Sequence, residues 1–225
     1  MHFLSKTVIA LSVISAGMSL ASAGVIIGGT RIVYDGNKKE ASVSVKNPDD
    51  TAYLIQSWVE TQNSGAEKAP FIVTPPLYRL GKGEDNIERI LMAGALPQDK
   101  ESLYWLNIKA IPSAPRKDNT LQIAVKTRIK LIYRPSSLKG AIPEEQADRL
   151  TWQRAGNQIQ VTNPTNYVMN FNEITVSGKK LEEATYVLPG ATARFTLPDG
   201  INGGSVSYKI INDYGGVGPA HTGHL

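Results

Sequence analysis

The stretch NTLQIAVKTRIKLIYRP, residues 119–135, alternates apolar and polar side chains over an unusual length. One face carries Leu121, Ile123, Val125, Thr127, Ile129, Leu131 and Tyr133, and the other carries Gln122, Lys126, Arg128 and Lys130. Because successive side chains of a strand point to opposite faces, the pattern predicts a two-faced β-strand of about 13 residues. Strands usually have about five or six residues, so the apolar face is longer than an ordinary strand needs.

The N-terminal residues 1–23, MHFLSKTVIALSVISAGMSLASA, have the three parts of a secretory signal peptide. A basic start with Lys6 precedes an apolar run, and small residues ending in A-S-A precede Gly24. This order predicts export and cleavage after Ala23 rather than a membrane anchor. No other stretch has the roughly 20 consecutive apolar residues of a spanning helix, so we expect a mature chain that is not membrane-embedded.

The composition argues against several classes of function. The 225 residues carry a net charge of +4, and removing Lys6 with the signal peptide leaves 23 basic and 20 acidic residues. Proteins that bind nucleic acid carry clustered basic residues and a recognition motif. This mild excess of positive charge is no such signature, so we expect no nucleic-acid partner. The chain has no cysteine, which removes disulfides, thiol catalysis and cysteine metal sites.

Short β-runs with turn signals between them fill the mature chain and predict an all-β sandwich fold. The first predicted strands are Arg31–Tyr34, Ala41–Lys46 and Ala52–Glu60. The stretch 134–150, RPSSLKGAIPEEQADRL, is rich in proline, glycine and serine and predicts a connector with one helical turn. We therefore place a domain boundary near residue 142, which gives an N-terminal domain of residues 24–141 and a C-terminal domain of residues 142–225.

Catalytic motifs are missing from the sequence. The three histidines are His2 in the signal peptide and His221 and His224 in the last five residues, which we expect to lie outside the folded body. A Ser-His-Asp triad in that body is thereby excluded, and no P-loop, H-E-x-x-H or G-x-S-x-G motif occurs. The glycine-rich Gly215–Gly218 is expected to form a flexible turn. We predict no enzymatic activity, no cofactor and no metal.

Six motifs occur in order along the mature chain: SWVE (57–60), FIVTPPL (71–77), LPQDKESLYWLN (96–107), RIKLIYRP (128–135), NPT (163–165) and INDYGG (211–216). With them the sequence resembles the periplasmic pilus chaperones of the chaperone–usher pathway, most closely those of type 1 fimbriae. The resemblance implies two immunoglobulin-like β-sandwich domains in a boomerang arrangement. It also implies a periplasmic chaperone that folds pilus subunits by donor-strand complementation and delivers them to an outer-membrane usher.

The resemblance assigns binding roles to particular residues. The side chains that would enter the groove of an incomplete subunit are Leu121, Ile123, Val125 and Thr127. Arg31 and Lys130 would bind the C-terminal carboxylate of the subunit, the arginine as a planar fork and the lysine as a compact charge. Arg128 lies two residues before Lys130 on the same face and competes with it for this role.

The resemblance also assigns structural roles. Glu101, Arg134 and Asp213 match a family network that would hold the two domains at a fixed angle. Pro75-Pro76 matches a family turn, in which the sequence does not show whether an X-Pro bond is cis.

Other classes of protein stay open on the residues alone. The chain could be a pilus structural subunit or adhesin, although it lacks the cysteine pair that such subunits usually carry. A carbohydrate-binding β-sandwich is a further alternative. The sequence leaves open which pilus system and subunits are served, and whether the unbound chain covers its apolar strand by forming a self-capping dimer.

Overall fold

The computed structural model describes residues 24–63, 68–113, 121–140, 142–201 and 203–225. The predicted signal peptide, residues 1–23, and the first two residues of the predicted long strand, 119–120, lie outside the described residues. Within the described ranges, no helix combines the length and the apolar character needed to cross a membrane.

The described residues up to Arg134 form a β-sandwich of nine strands. The strands are β1 (Ile26–Ile27), β2 (Arg31–Asp35), β3 (Glu40–Lys46), β4 (Tyr53–Glu60), β5 (Phe71–Thr74), β6 (Leu77–Leu80), β7 (Asp85–Met92), β8 (Ser102–Pro112) and β9 (Val125–Arg134). One sheet has the order β1-β3-β7-β5, and the facing sheet has the order β2-β9-β8-β4-β6. β2 runs parallel to β9, whereas β8 and β9 are antiparallel.

The core between these sheets follows from side-chain alternation. In β3, Val43 and Val45 are buried, whereas the intervening Ser44 is exposed. In the facing sheet, Leu131 and Tyr133 of β9 belong to the same buried cluster. Full burial of each such aliphatic side chain contributes about 1.5–3 kcal/mol, so the alternating residues stabilise the sandwich without disulfides.

A proline turn joins β5 to β6. The Thr74–Pro75 bond in this turn is cis. The carbonyl of Pro76 accepts a hydrogen bond from the backbone N–H of Ser57 at 2.9 Å, which ties the turn to β4.

The segment between the sandwiches contains two short 3-10 helices, Ser136–Leu138 and Pro143–Arg149. The sequence predicts a connector with one helical turn here, so the structure adds a second short helix. Pro143 stands at the start of the longer helix, where its missing N–H costs no hydrogen bond.

The described residues from Thr151 onward form a second β-sandwich. Its strands are β10 (Thr151–Ala155), β11 (Gln158–Thr162), β12 (Met169–Val176), β13 (Lys179–Lys180), β14 (Tyr186–Val187), β15 (Thr192–Thr196), β16 (Ser205–Ile211) and β17 (Val217–His224). One sheet has the order β10-β11-β15, and the other has the order β13-β12-β16-β17 with β14 paired to β12. The predicted all-β fold with two β-sandwich domains is confirmed.

The C-terminal tail is more ordered than the sequence predicts. Instead of a flexible turn at 215–218, β17 begins at Val217 and pairs with β16. The imidazole of His221 stacks on Tyr208, with ring centroids 5.5 Å apart, and its Nδ1 lies 2.7 Å from Asp148 Oδ1. The expectation that this histidine lies outside the folded body is therefore wrong, because pairing along β16 brings the glycine-containing tail onto the second domain.

The two sandwiches meet at a small apolar cluster. Leu103 and Ile132, from adjacent strands of the first domain, are buried together with Val168 of the second. Leu131 and Ile132 are consecutive residues of β9, so their side chains point to opposite faces. Leu131 packs in the core of the first domain, whereas Ile132 packs against the second domain.

Candidate functional site

The strand predicted from the alternating stretch is shorter in the structure. β9 has ten residues, and its pairing with β8 ends where Val125 lies opposite Ala110. Residues 121–124 lie beyond this pairing and are not part of a strand. The structure thus shortens the predicted 13-residue strand at its N-terminal end, where the pairing with β8 stops.

One face of this stretch is buried at one end and exposed at the other. Ile129 and Leu131 are 7% and 0% exposed. Leu121, Ile123 and Val125 have the same alternation but are 82%, 63% and 51% exposed. The apolar face therefore extends beyond the core that could cover it, and contiguous exposed apolar surface of this kind marks interaction sites.

The residues of β9 that follow this exposed face present an unpaired strand edge. β2 covers the outer edge of β9 from Lys130 onward, where Arg31 lies opposite. Within the described residues, no strand pairs with that edge between Val125 and Ile129, where the half-buried Thr127 lies. A free edge offers N–H and C=O groups to a further strand. The exposed apolar face and the free edge thus follow one another along the chain and meet at Val125.

Two cations stand where the free edge ends. Arg31 and Lys130 are register partners on β2 and β9. The Lys130 ammonium donates a hydrogen bond to Asn170 Oδ1 at 2.6 Å and lies 4.7 Å from the centroid of the Tyr186 ring. Arg31 Nη1 donates to the carbonyl of Ile211 at 3.4 Å, and its buried Nε has no protein partner.

The electrostatics of this pair favour an anion. Burial, and then repulsion from Arg31, lower the pKa of Lys130 to about 8. Burial also lowers the pKa of Arg31, and it outweighs the negative charges of Asp213 and Glu144, which raise that pKa. Among the described residues, neither cation forms a salt bridge with a carboxylate. A negative group between them would favour both charged forms.

Arg128 lies in different surroundings from Lys130. Its guanidinium carbon is 4.2 Å from the centroid of the Trp105 ring, and its register partner on β8 is Asn107. It precedes the segment of β9 that pairs with β2. The structure therefore places Lys130 beside Arg31 of β2. Arg128 lies on the part of β9 that pairs with β8 but not with β2.

The three residues assigned to the interdomain network are in direct contact. Arg134 Nε donates to Glu101 Oε1 at 2.6 Å, and its two terminal nitrogens donate to the carboxylate of Asp213 at 2.6 and 2.8 Å. The other Glu101 oxygen accepts from the backbone N–H of Val168 at 2.7 Å. Burial would lower the pKa of Arg134, but the two carboxylates outweigh it and raise that pKa. The arrangement joins the first domain to the second at two places. One is Asp213, between β16 and β17, and the other is Val168, directly before β12.

Sequence reasoning missed two residues of the cation site. Asn170 and Tyr186, which contact Lys130, are register partners on β12 and β14 of the second domain. The Tyr186 hydroxyl in turn donates to Gln62 Oε1 of the first domain at 2.8 Å. No motif marks these positions, since their contact with Lys130 arises only when the two sandwiches pack together.

Two family profiles match the chain. The profile described as "Pili and flagellar-assembly chaperone, PapD N-terminal domain" matches residues 24–139. The profile described as "Pili assembly chaperone PapD, C-terminal domain" matches residues 145–222. Together they span both sandwiches, and their inner ends lie on either side of the predicted boundary at 142.

Individual relatives cover nearly the whole chain. The probable fimbrial chaperone LpfB of Escherichia coli O157:H7 is 46% identical over 205 residues, which are 88% of this chain and 87% of that protein. The chaperone protein FimC of Escherichia coli K12 is 42% identical over 210 residues, which are 90% of this chain and 85% of that protein. The solved structure of the Salmonella enterica SafA pilin in complex with the SafB chaperone matches with a TM-score of 0.84 and 35% identity, covering 92% of this chain and 99% of that one.

Proposed function

Because the chain belongs to the PapD family of pili assembly chaperones, we propose that it binds fimbrial subunits in the periplasm by donor-strand complementation. A chaperone of this kind is not an enzyme. The observation that carries the proposal is an exposed apolar face at residues 121–125 that continues directly into the free strand edge at residues 125–129. An incomplete subunit lacks one strand and leaves its core open, and this stretch has the two features that such a core needs.

The donated side chains are Leu121, Ile123 and Val125, followed by Thr127. Burying each of the three aliphatic side chains contributes about 1.5–3 kcal/mol. Each main-chain hydrogen bond formed along the free edge adds a net contribution of about 0.5–1.5 kcal/mol. In the complex, the subunit also supplies a neighbouring strand along residues 121–124, which precede β9, so we expect β9 to lengthen toward its predicted start.

Arg31 and Lys130 form the proposed anchor for the subunit's C-terminal carboxylate. Two cations side by side, with one buried guanidinium nitrogen unpartnered, match the charge and the oxygens of a carboxylate. Asn170 keeps the Lys130 ammonium in place through one donor and leaves its other two for the ligand.

The position of the anchor also determines the direction and register of the incoming strand. The proposed donor stretch runs from 121 to 129, and the anchor follows it at Lys130, where β2 blocks further pairing. A subunit strand that ends at the anchor must therefore run parallel to β9. A shift of one residue would turn every groove side chain to the wrong face, so anchoring the chain end selects the correct register.

We predict that Lys130→Ala strongly reduces subunit capture, because it removes a charge-assisted hydrogen bond worth about 1.5–3 kcal/mol and also relaxes the register. Lys130→Arg should be partly active, since a longer planar group does not reproduce a compact ammonium. The measurement is recovery of a tagged subunit with each variant from periplasm, and circular dichroism of the free variants should be unchanged.

Arg128→Ala is the matched control, because it removes a cation of the same strand that lies on Trp105. It should capture subunit nearly as well as the unmodified chain. A subunit whose C-terminal carboxylate is extended by further residues should bind poorly to every variant. Normal capture by Lys130→Ala, or failure of Arg128→Ala, would refute the anchor assignment.

The lowered pKa of Lys130 predicts pH-dependent binding. With a pKa of about 8 in the free chain, the ammonium loses its proton as the pH rises from 7 to 9. A bound carboxylate favours the protonated form, so binding above pH 8 takes up a proton. We expect the affinity for a peptide with the last strand of a subunit to fall by about tenfold from pH 7 to pH 9, measured by isothermal titration calorimetry.

Lys130→Arg is the control for this pH dependence, because arginine stays charged throughout that range. Its weaker binding should change little between pH 7 and pH 9. An equally steep decline in both proteins would mean that another group titrates.

The wider role includes export and transfer. We propose that the chain is processed to Gly24, folds as domains 24–141 and 142–225, and delivers its subunits to an outer-membrane usher. In the unbound state, the exposed stretch 121–125 is also the surface through which a self-capping dimer would form.

Co-purification from periplasm separates the chaperone function from the two alternatives, a pilus subunit and a carbohydrate-binding protein. A stoichiometric small subunit fits a chaperone, polymers fit a pilus subunit, and retention on a glycan column fits a lectin.

A further inference from the structure

The backbone nitrogen of Gly24 is held by an acidic side chain. It donates a hydrogen bond to Asp49 Oδ2 at 2.9 Å. The same carboxylate oxygen accepts a hydrogen bond from the hydroxyl of Tyr53 at 2.6 Å. Asp49 and Tyr53 are both partly buried. The residue that they hold is the one that directly follows the predicted cleavage site at Ala23.

This acceptor is kept in position by its own turn. The side-chain oxygen of the fully buried Asn47 accepts a hydrogen bond from the backbone N–H of Asp49 at 3.0 Å. The side-chain nitrogen of Asn47 donates to the carbonyls of Thr51 and Gly81, each at 2.8 Å. The position of the carboxylate is therefore determined by residues other than Gly24.

Tyr53 completes the site. The hydrogen bond to Asp49, together with burial and the negative charge of that carboxylate, raises the pKa of Tyr53 to about 12. The phenol hydroxyl thus stays a donor at neutral and mildly alkaline pH. A carboxylate oxygen binds an ammonium group more strongly than a neutral amide, because the ammonium adds the Coulomb attraction of a second charge to the hydrogen bond.

We propose that Asp49 and Tyr53 form a binding site for the free α-ammonium group of Gly24 in the exported chain. A peptidase of the export pathway hydrolyses the Ala23–Gly24 bond with one water molecule. Ala23 leaves with the new carboxylate, and the nitrogen of Gly24 becomes an ammonium group. Cleavage thereby replaces an amide donor with a charged donor at a carboxylate that is already in position.

The ion pair would fasten the start of the segment that leads into the subunit anchor. Two residues after Gly24, β1 pairs with the end of β3, with Ile26 opposite Lys46. The chain then reaches Arg31, the first residue of β2. Removal of the signal peptide would therefore do more than release the chain, since it would create a contact that holds this first segment on the sandwich.

The test compares two forms of the chain: the exported protein and a form with two residues from a cleaved purification tag before Gly24, in which that nitrogen stays an amide. Mass spectrometry first defines the N-terminus of the exported protein, which we expect to be Gly24. Asp49→Asn is then made in both forms, because asparagine removes the charge but keeps an oxygen that accepts from Tyr53. We expect the melting temperature to fall by about 2–4 °C in the exported form and much less in the extended form.

Asp50→Asn is the matched control, because this neighbouring acid pairs with the exposed Lys82 instead. It should shift both forms equally. A second readout is the pKa of the Gly24 amino group, measured by nuclear magnetic resonance. It should lie above the usual range of about 7.7–8.0 and return to that range in Asp49→Asn.

The other charged groups at this end of the sandwich are not equivalent to Asp49. Lys46, at the end of β3, is a register partner of Asp85 on β7, and Asp50 pairs with Lys82. Since we expect the pair to raise the amino group's pKa in the folded chain, its stabilising effect should be present at neutral pH and lost as the pH rises through that raised pKa. An exported N-terminus other than Gly24, an unshifted amino pKa, or equal destabilisation of both forms by Asp49→Asn would overturn the proposal.

Discussion

Replacing Arg134 by alanine is expected to lower the free energy of unfolding by about 3–5 kcal/mol, because it leaves a buried carboxylate without its partner. Glu101 is 3% exposed and depends on Arg134 Nε and on the amide of Val168 for its hydrogen bonds. Asp213 would lose both of its bonds to the guanidinium at once. The measurement is equilibrium unfolding in denaturant, supported by the steady-state level of the variant in the periplasm.

Arg89→Ala is the matched control for this experiment. Arg89 also pairs with a glutamate, Glu40, but the two side chains are 57% and 37% exposed, so the substitution should change unfolding little. If Arg134→Ala has the same unfolding midpoint and the same abundance as the unmodified chain, Glu101, Arg134 and Asp213 do not hold the two domains together.

The regular strands were the most predictable part of the fold. In β3 and β9, apolar residues alternate with polar residues, and this period alone identifies a strand with one buried face. The end of β9 was not predictable in the same way. It depends on where the pairing between β8 and β9 stops, at Ala110, and an alternating pattern carries no information about how far a neighbouring strand stays paired.

The site was partly predictable, for a related reason. Arg31 and Lys130 were selected because they match motifs of a known family, and the structure places them side by side. Asn170 and Tyr186 were missed, since neither is part of a motif and both reach Lys130 from the other domain. Contacts between domains depend on packing geometry, which local sequence patterns do not contain.

The C-terminal tail is more ordered than its sequence predicts. The glycine-rich Gly215–Gly218 predicted a flexible turn, yet β17 begins at Val217, pairs along β16 and places His221 on Tyr208. Strand pairing uses backbone groups, so a segment with few apolar side chains can still complete a sheet. Local composition therefore underestimated the order of this segment.

Ile123→Asp is expected to abolish subunit capture while leaving the free chain folded. In the proposed complex, it places an uncompensated charge in an apolar groove, where burial costs several kcal/mol. A penalty of about 3 kcal/mol already corresponds to a loss in affinity of more than 100-fold. In the free chain the side chain at this position is 63% exposed, so the substitution should alter the free energy of unfolding by no more than about 0.5 kcal/mol.

Ala124→Asp provides the matched control, because it adds the same charge at the adjacent exposed position, which belongs to the opposite face of the alternating stretch. Its side chain would point away from the subunit groove. We expect this variant to capture subunit at close to the normal yield.

The most direct test of the account is the recovery of a tagged fimbrial subunit with Ile123→Asp and with Ala124→Asp from periplasm, alongside the melting temperature of each free variant. The account predicts loss of capture with Ile123→Asp, near-normal capture with Ala124→Asp, and an unchanged melting temperature for both. Normal capture by Ile123→Asp, or unfolding of the free Ile123→Asp chain, would show that this side chain is not donated to a subunit.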